Sequence, residues 1–341
     1  LGILCRWSGS CKTSATDFWE DTLAKLKLAL ACDEYDYLQP LREGTIQPAG
    51  IDLNLLTVGS GVRHERMYRH GEYDACEFSM ASYLTARAQG IDRLQAIPFF
   101  TRRMFGHKFC FIRKDSEIHG PRDLRGRRVG IRSYENTLAF MVKGMLMQIY
   151  QIPLDTVTWV CVNRELVDCK LPDNIRIEHI SRERKLEELL LAGEVDAEVE
   201  PDLPTRWLRG DKRIERLFPD FEQDERNYYQ QTRIFPIMHP IVIKKEIIDR
   251  DPWVATSLFE AFKDCRRIYN EFMEQPHRLS FAFARAYLEK ERALFGGDPF
   301  PQGLRDNRHD LQAMIRFAQE QGLLARHLAV EELFTENTRG T

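Results

Sequence analysis

The sequence predicts an α/β protein of two lobes with a ligand cleft between them. Three observations carry that expectation. Alternating or wholly apolar short segments recur between helix-like stretches, the rhythm of a largely parallel sheet. A second series of the same kind starts near residue 128, after the turn-rich connector PRDLRG. A late strand-like segment, IFPIMHPIVIK, is followed only by helices, so the chain builds a second lobe and then returns to its first. Its 341 residues and 43% hydrophobic content are ample for two lobes.

Residues 25–31 (KLKLALA) and 51–58 (IDLNLLTV) alternate and read as strands. Between them, Pro40 and Gly44 limit residues 32–44 to a loop or short helix. Residues 63–70 form a polar helix. Residues 73–79 (YDACEFS) form a strand, and 80–89 a helix that Gly90 stops. Two apolar strands, 94–100 and 108–113, are expected to flank a turn holding Arg102, Arg103 and His107, one wall of an anion-binding cleft.

The second series runs strand 128–131, helix 137–150, strands 156–162 and 175–180, helix 184–191 ended by Gly193, and strand 195–199. Residues 207–231 are basic and aromatic and are expected to be a long loop. Two prolines interrupt the strand at 234–244, which points to an edge, a bulge or a hinge. Helices follow at 252–273, 279–294, 306–321 and 330–334. The first of these opens on Pro252, where a lost N–H costs nothing. The expected division is a first lobe of 25–113 plus 234–341, carrying the terminal helices, and a second lobe of 114–233. Residues 1–24 are set aside as a disordered or artefactual extension.

A net charge of −3, from 49 basic and 52 acidic residues, gives no overall pull towards nucleic acid or anionic membrane, so neither is expected as a partner. No apolar run reaches the ~18 residues of a transmembrane helix, and the first residues lack the basic start of a secretion signal. The eight cysteines are scattered, with no CxxC pair and no zinc-like spacing, which suits a reducing cytoplasm. P-loop, dinucleotide-binding and GxSxG signatures are lacking.

Polar residues at strand ends are the candidates for the cleft, because α/β sheets bind ligands at the carboxyl ends of their strands. They are Glu77, Ser79 and Ser82; Arg102, Arg103 and His107; Arg132, Ser133, Tyr134 and Thr137; Glu198 and Glu200; and His239. A loop running into a helix at Ser133–Thr137 presents free N–H groups to an anion, although helix capping by Ser133 or Asn136 explains the same residues. Arginine suits two-point contact with a carboxylate. Adjacent residues on extended chain point oppositely, so one of Arg102 and Arg103 is expected in the cleft, with Arg103 favoured. His107 and His239 are either hydrogen-bonded core residues or proton carriers. Glu77, in the apolar run ACEFS, is either a buried ion-pair partner or a functional acid.

The segments KLKLALACDEYDYLQPLREG, YDACEFSMASYL, IPFFTRRMFGHKFCFIRKDS, DLRGRRVGIRSYENTLAFMVKGML, LLLAGEVDAEVEP and YYQQTRIFPIMHPIVIKKEI together resemble the 4,5-dihydroxyphthalate decarboxylase family, itself similar to type II periplasmic solute-binding proteins. The resemblance implies a two-lobed type II periplasmic-binding-protein-like fold with a discontinuous first lobe. It implies loss of carbon dioxide from a hydroxylated aromatic acid in phthalate degradation. It points to Glu77, Ser79, Arg103, His107, Tyr134, Thr137 and His239. On this reading Arg103, Ser79 and Thr137 hold the spectator carboxylate, His107 and His239 exchange protons, and Glu77 orients a histidine or binds a hydroxyl. The expected partner is a small aromatic di-acid. No organic cofactor is needed, a divalent metal stays compatible with the chemistry, and so does a homo-oligomer. Gly106, Lys143 and residues 162–170 depart from the family pattern.

The rival reading is a solute-binding receptor that passes an aromatic or sulfonate-type anion to a transporter. Such a receptor needs arginines and hydroxyls but not two histidines. A thiamine-precursor synthesis protein of similar fold is a third reading, against which stands the lack of a cysteine-rich iron-binding cluster.

Overall fold

The computed structural model describes residues 24–181 and 183–341. The expected extension lies outside the described residues except for Ala24. In chain order the elements are β1 (Leu26–Cys32), α1 (Gln39–Arg42), β2 (Ile51–Thr57), α2 (Ser60–His70), β3 (Ala75–Glu77), α3 (Met80–Ala88), β4 (Leu94–Arg103), β5 (Cys110–Arg113), β6 (Arg128–Ile131) and α4 (Thr137–Gln148). There follow β7 (Thr158–Cys161), β8 (Arg176–His179), α5 (Leu186–Ala192), β9 (Ala197–Val199), α6 (Thr205–Leu208), β10 (Ile214–Arg216), α7 (Phe221–Thr232), β11 (Ile237–Lys244), α8 (Lys245–Arg250), α9 (Trp253–Met273), α10 (Ala284–Phe295) and α11 (Leu304–Glu320).

Two sheets result. The first has the order β2-β1-β3-β11-β4, with β1 parallel to β2 and β3, and β11 antiparallel to β3 and β4. The second has the order β10-β5-β9-β6-β7-β8 and is parallel from β9 to β8. Each is the centre of an α/β lobe, as the alternation of strand and helix signals predicts. Pro240 of β11, with Pro236 just before the strand, marks an irregularity: the pairing of β11 with β4 shifts register around His239 and Pro240, although the strand is internal.

Three expectations need correction. Residues 110–113 do not stay with the first lobe: β5 pairs with β9 and β10 in the second sheet. The outward crossing is therefore residues 104–109, and it runs beside the return crossing, with the Met104 N–H donating to the Pro236 carbonyl at 3.2 Å. Residues 207–231 are not a loop but hold most of α7, all of β10 and the end of α6. The terminal helices do not all return to the first lobe. Helix α9 does, with Phe262 stacked on Phe99 of β4 at 4.7 Å, but α11 packs on α3 of one lobe and α4 of the other. Gln321, just beyond α11, donates to the Phe140 carbonyl of α4 at 2.9 Å. One apolar core accordingly runs from Phe100 and Phe334 through Phe317 to Val129 and Trp159.

Glycines at two positions make that junction possible. A Cβ on Gly106, in the outward crossing, would stand 2.4 Å from Val142 of α4, and one on Gly144 would stand 2.4 Å from the buried Phe317 ring of α11. Among the described residues no helix is long and apolar enough to cross a membrane.

Gly144→Ala is expected to destabilise the protein by about 1–3 kcal/mol through overpacking. Alanine's better helix propensity, about 1 kcal/mol, offsets this only in part. Urea denaturation of the variant measures the sign directly; an unchanged or raised midpoint would show that α11 does not press on α4 as described.

Candidate functional site

The site starts from a charge in an apolar place. Strand β3 is internal to its sheet, and its last residue, Glu77, is fully buried. An isolated carboxylate there is very unfavourable, so its oxygens need donors. They receive the Arg63 guanidinium at 2.9 Å, the Tyr35 hydroxyl at 2.7 Å, the Asp33 N–H at 2.8 Å and His239 Nδ1 at 2.5 Å. Burial alone would raise the Glu77 pKa, but the hydrogen bond from His239 and the charges of Arg63 and Arg102 hold it well below the ordinary carboxylate range. An ionised Glu77 accepts only, so Nδ1 of His239 carries the proton and Nε2 remains the ring's acceptor. Burial keeps His239 below its ordinary pKa, although Glu77 pulls the other way. The result is a neutral imidazole oriented by a carboxylate at the lip of a cleft.

That cleft encloses about 590 Å³, within the roughly 300–1,000 Å³ usual for small-molecule sites. His239 and His64 reach it from the first lobe. The His64 ring stands edge-on to His239 at 4.9 Å, and its Nε2 has no partner. Burial, His239 and Arg63 hold its pKa well below normal, so it too is neutral.

A helix from each lobe also points its N-terminus at the cleft. Ser79 caps α3 and Asn136 caps α4. The caps meet: Ser79 Oγ lies 2.9 Å from Thr137 Oγ1, Ser82 Oγ donates to Ser79 Oγ at 3.0 Å, and the Ala81 N–H donates to Thr137 Oγ1 at 3.2 Å. Converging helix N-termini favour a bound anion through their unpaired N–H groups and partial positive charge. Four arginines, Arg69, Arg102, Arg132 and Arg164, add formal charge to the rim. Arg102 donates to Asp33 at 2.6 Å and to Tyr35 Oη at 3.1 Å, and Arg132 pairs with Glu200 and Asp202.

Of the sequence-derived candidates, the structure brings Ser79, Ser82, Arg102, Arg132, Ser133, Thr137 and His239 to the cleft, with Glu77 directly behind His239. The others lie elsewhere. Arg103 is buried on the far side of β4, paired with Asp310 of α11 at 2.7 Å and bonded to the Phe235 carbonyl at 2.9 Å. The expectation favoured Arg103 over Arg102, and the order is the reverse: adjacent strand residues face opposite ways, and Asp310 takes Arg103. His107 is a core histidine packed between Phe218 and Tyr228, its pKa pushed down to about 4 by burial and Lys108. Tyr134 is buried beneath Lys143 Nζ and bonds to the Gln321 carbonyl. Glu200 serves Arg132, and Glu198 is buried in the second sheet away from the cleft.

Sequence reasoning missed Arg63, His64 and Glu135. Arg63 had a signal: it precedes buried Met67 by one helical turn, so both lie on the inward face of α2. Glu135 lies in the loop before α4 and lines the cleft, its pKa raised to about 8 by burial and Glu165. Among the described residues no group of three or more His, Cys, Asp or Glu side chains is placed to hold a metal ion.

Arg63→Met is expected to cost about 3–5 kcal/mol, because it leaves Glu77 charged and under-compensated in the interior. Glu77's depressed pKa adds stability above the unfolded value of about 4.3, and this is lost as pH falls through the folded value. The deficit of the variant should therefore be full near neutrality and shrink below about pH 4; a deficit independent of pH in urea titrations would contradict the ion pair.

Comparison with known proteins places this arrangement. A family model described as NMT1/THI5 like matches residues 44–172. Among solved structures, the aliphatic sulphonate binding protein SsuA from Escherichia coli aligns with TM-score 0.53 and 12% identity, over 93% of this chain and 99% of that one. A mutant of the desulfurization enzyme DSZB, in complex with biphenyl-2-sulfinic acid, aligns with TM-score 0.55 and 15% identity, over 93% and 98%. These likenesses show the two-lobed periplasmic-binding-protein fold. The 4,5-dihydroxyphthalate decarboxylase of Comamonas testosteroni is 28% identical over 320 residues, covering 92% of this chain and 97% of its own. The enzyme of the same name from Pseudomonas putida is 30% identical over 212 residues, 60% of this chain and 82% of its own. By sequence, and with the fold that the sequence implies, the chain belongs to the 4,5-dihydroxyphthalate decarboxylase family of carboxy-lyases.

Proposed function

We propose that the protein removes carbon dioxide, without oxidation, from a hydroxylated aromatic acid held in the cleft, converting 4,5-dihydroxyphthalate to protocatechuate. The observation that carries this reading is the meeting, in one cleft, of a carboxylate-oriented neutral histidine and two helix N-termini. The first is a base for a phenol; the second is a seat for a carboxylate.

The substrate class follows from the lining. Met104, Leu138, Val162, Leu166 and Met238 offer apolar surface to a ring. Ser79, Thr137 and the helix N-termini take the spectator carboxylate. A grip shared equally by ground state and transition state does not speed the reaction, so this seat should hold the group that stays. Arg102 and Arg132 complement the remaining negative charge. Residues 162–166, within the segment that departs from the family pattern, line the cleft, so the exact ring substituents are read there.

The chemistry needs a base and an acid. A phenol para to the departing carboxylate gives up its proton to His239 Nε2. Electron density moves to the carbon bearing that carboxylate, which is protonated. The C–C bond then breaks, its electron pair restores the aromatic ring, and the phenolate recovers its proton from His239. Glu77 fixes the His239 tautomer and steadies the transient imidazolium. No organic cofactor enters. His107 and Arg103, removed from the cleft, have no part.

Incubating the purified protein with 4,5-dihydroxyphthalate should yield protocatechuate and one equivalent of carbon dioxide, with EDTA leaving the rate unchanged. His239→Ala should lower kcat by about 10²–10⁴-fold. Thr137→Val should raise KM with kcat nearly held, as loss of a spectator anchor requires. Tight binding of the di-acid without turnover would contradict this reading in favour of a receptor, and loss of activity in EDTA restored by a divalent ion would bring a metal into the mechanism.

A further inference from the structure

We propose that Glu135 is the acid that protonates the ring carbon, so that the second lobe supplies the proton and the first lobe the base; this assignment rests on the decarboxylase reading above. Glu135 lies just before the α4 cap and lines the same cleft as Ser79, Ser82, Thr137 and His239. It is a buried carboxyl, 1% exposed. Its two oxygens have different surroundings. Oε1 accepts the N–H groups of Leu166 and Val167. Oε2 has no partner. Anchoring the 162–170 segment accounts for the first oxygen and leaves the second unexplained. A proton on Oε2 removes the buried charge, the costlier part of the problem, and leaves an O–H that a ligand in the cleft can accept, since an ionised, half-bonded carboxylate is very costly in such a place.

The groups facing Glu135 favour the protonated form. The Glu165 carboxylate receives the Tyr134 and Glu135 N–H groups and stands close enough to repel a second negative charge. The Lys143 amine, from α4, is turned to the Tyr134 carbonyl at 2.6 Å and is itself pushed down to about 7 by burial. Cys169 and Tyr68 face it as well, each with its pKa raised by burial and so neutral. The Ser82 hydroxyl is adjacent and eases ionisation slightly. Glu135 consequently carries its proton up to about pH 8.

Glu77 and Glu135 are thus pushed in opposite directions, the pattern by which acid and base roles are separated in one site. In the step itself the O–H bond of Glu135 breaks and a C–H bond forms at the carbon bearing the departing carboxylate. The C–C bond then breaks and its electrons return to the ring. Glu135, left as a carboxylate, is reprotonated from solvent before the next turnover. The sum is one aromatic carboxylate and one proton giving one arene C–H and carbon dioxide.

The test is Glu135→Gln in the full chain, with Glu135→Asp beside it, assayed on 4,5-dihydroxyphthalate. Glutamine keeps the Oε1 acceptor and the neutral charge, so the loop anchors survive. The expected result is a fall in kcat of about 100-fold or more with KM changed less than about threefold, partial activity in the aspartate variant, and loss of the alkaline limb of the wild-type kcat profile near pH 8. A glutamine variant that keeps kcat within about threefold, or keeps that limb, overturns the assignment while the decarboxylase reading stands; His64→Asn losing activity instead would give the acid role to His64. A wild-type protein that does not turn the substrate over overturns both. If the glutamine variant does not fold, Glu135→Asp decides, because a shortened acid that leaves kcat within about threefold of the wild type excludes Glu135 as the proton donor.

Discussion

The burial of one carboxylate organises the site. Glu77 ends an internal strand where no water reaches, and its negative charge is tolerable only because Arg63, Tyr35, the Asp33 N–H and His239 all turn donors towards it. These partners come from three separate stretches of the first lobe. Satisfying the charge therefore fixes α2, the loop after β1 and the bulged strand β11 relative to one another. It also fixes the tautomer and orientation of His239. A buried network of this kind is high-stakes: complete, it specifies a single arrangement, and incomplete, it is strongly destabilising.

The second lobe answers with a group of opposite tendency. There the carboxyl of Glu135 is buried beside Glu165 rather than beside an arginine, and its pKa is raised. Between the two lie the N-termini of α3 and α4, joined through Ser79 and Thr137. The lobes are locked together on the far side by α11, whose Phe317 lies against Gly144 of α4 and whose Asp310 holds Arg103 at the crossing. Arg103 thus acts on the cleft only indirectly, by fixing the crossing segments that carry the chain between lobes. The same fold framework serves binding proteins such as SsuA, so the two-lobed cleft by itself does not separate receptor from enzyme.

Much of the architecture was legible in the sequence because period-2 segments, glycine stops and the order of elements are local signals. The division into two sheets followed from where the strand rhythm restarted. What failed depended on partners distant in sequence. Strand β5 reads as apolar whichever sheet it joins, and only pairing with β9 and β10 assigns it to the second. The choice between Arg102 and Arg103 turns on a one-residue parity and on Asp310, more than two hundred residues away, which takes Arg103. His107 and His239 look alike among apolar neighbours, yet one packs between aromatic rings and the other meets a carboxylate. Glu135 reads as an ordinary polar loop residue; the segment that buries and anchors it begins nearly thirty residues later. The helix-terminus cradle was legible, since Ser79, Ser82, Ser133 and Thr137 stand where strands run into helices.

The central claim is that one cleft seats a spectator carboxylate at the paired helix N-termini while presenting the opposite edge of the ring to His239. A crystal structure with an unreactive aromatic di-acid lacking the ring hydroxyls tests it most directly. The account predicts one carboxylate within hydrogen-bond distance of Ser79 and Thr137, with the ring edge facing His239 and Glu135 on the ring's second-lobe side. A di-acid bound with its carboxylates away from both helix N-termini, or bound outside the cleft, would contradict it.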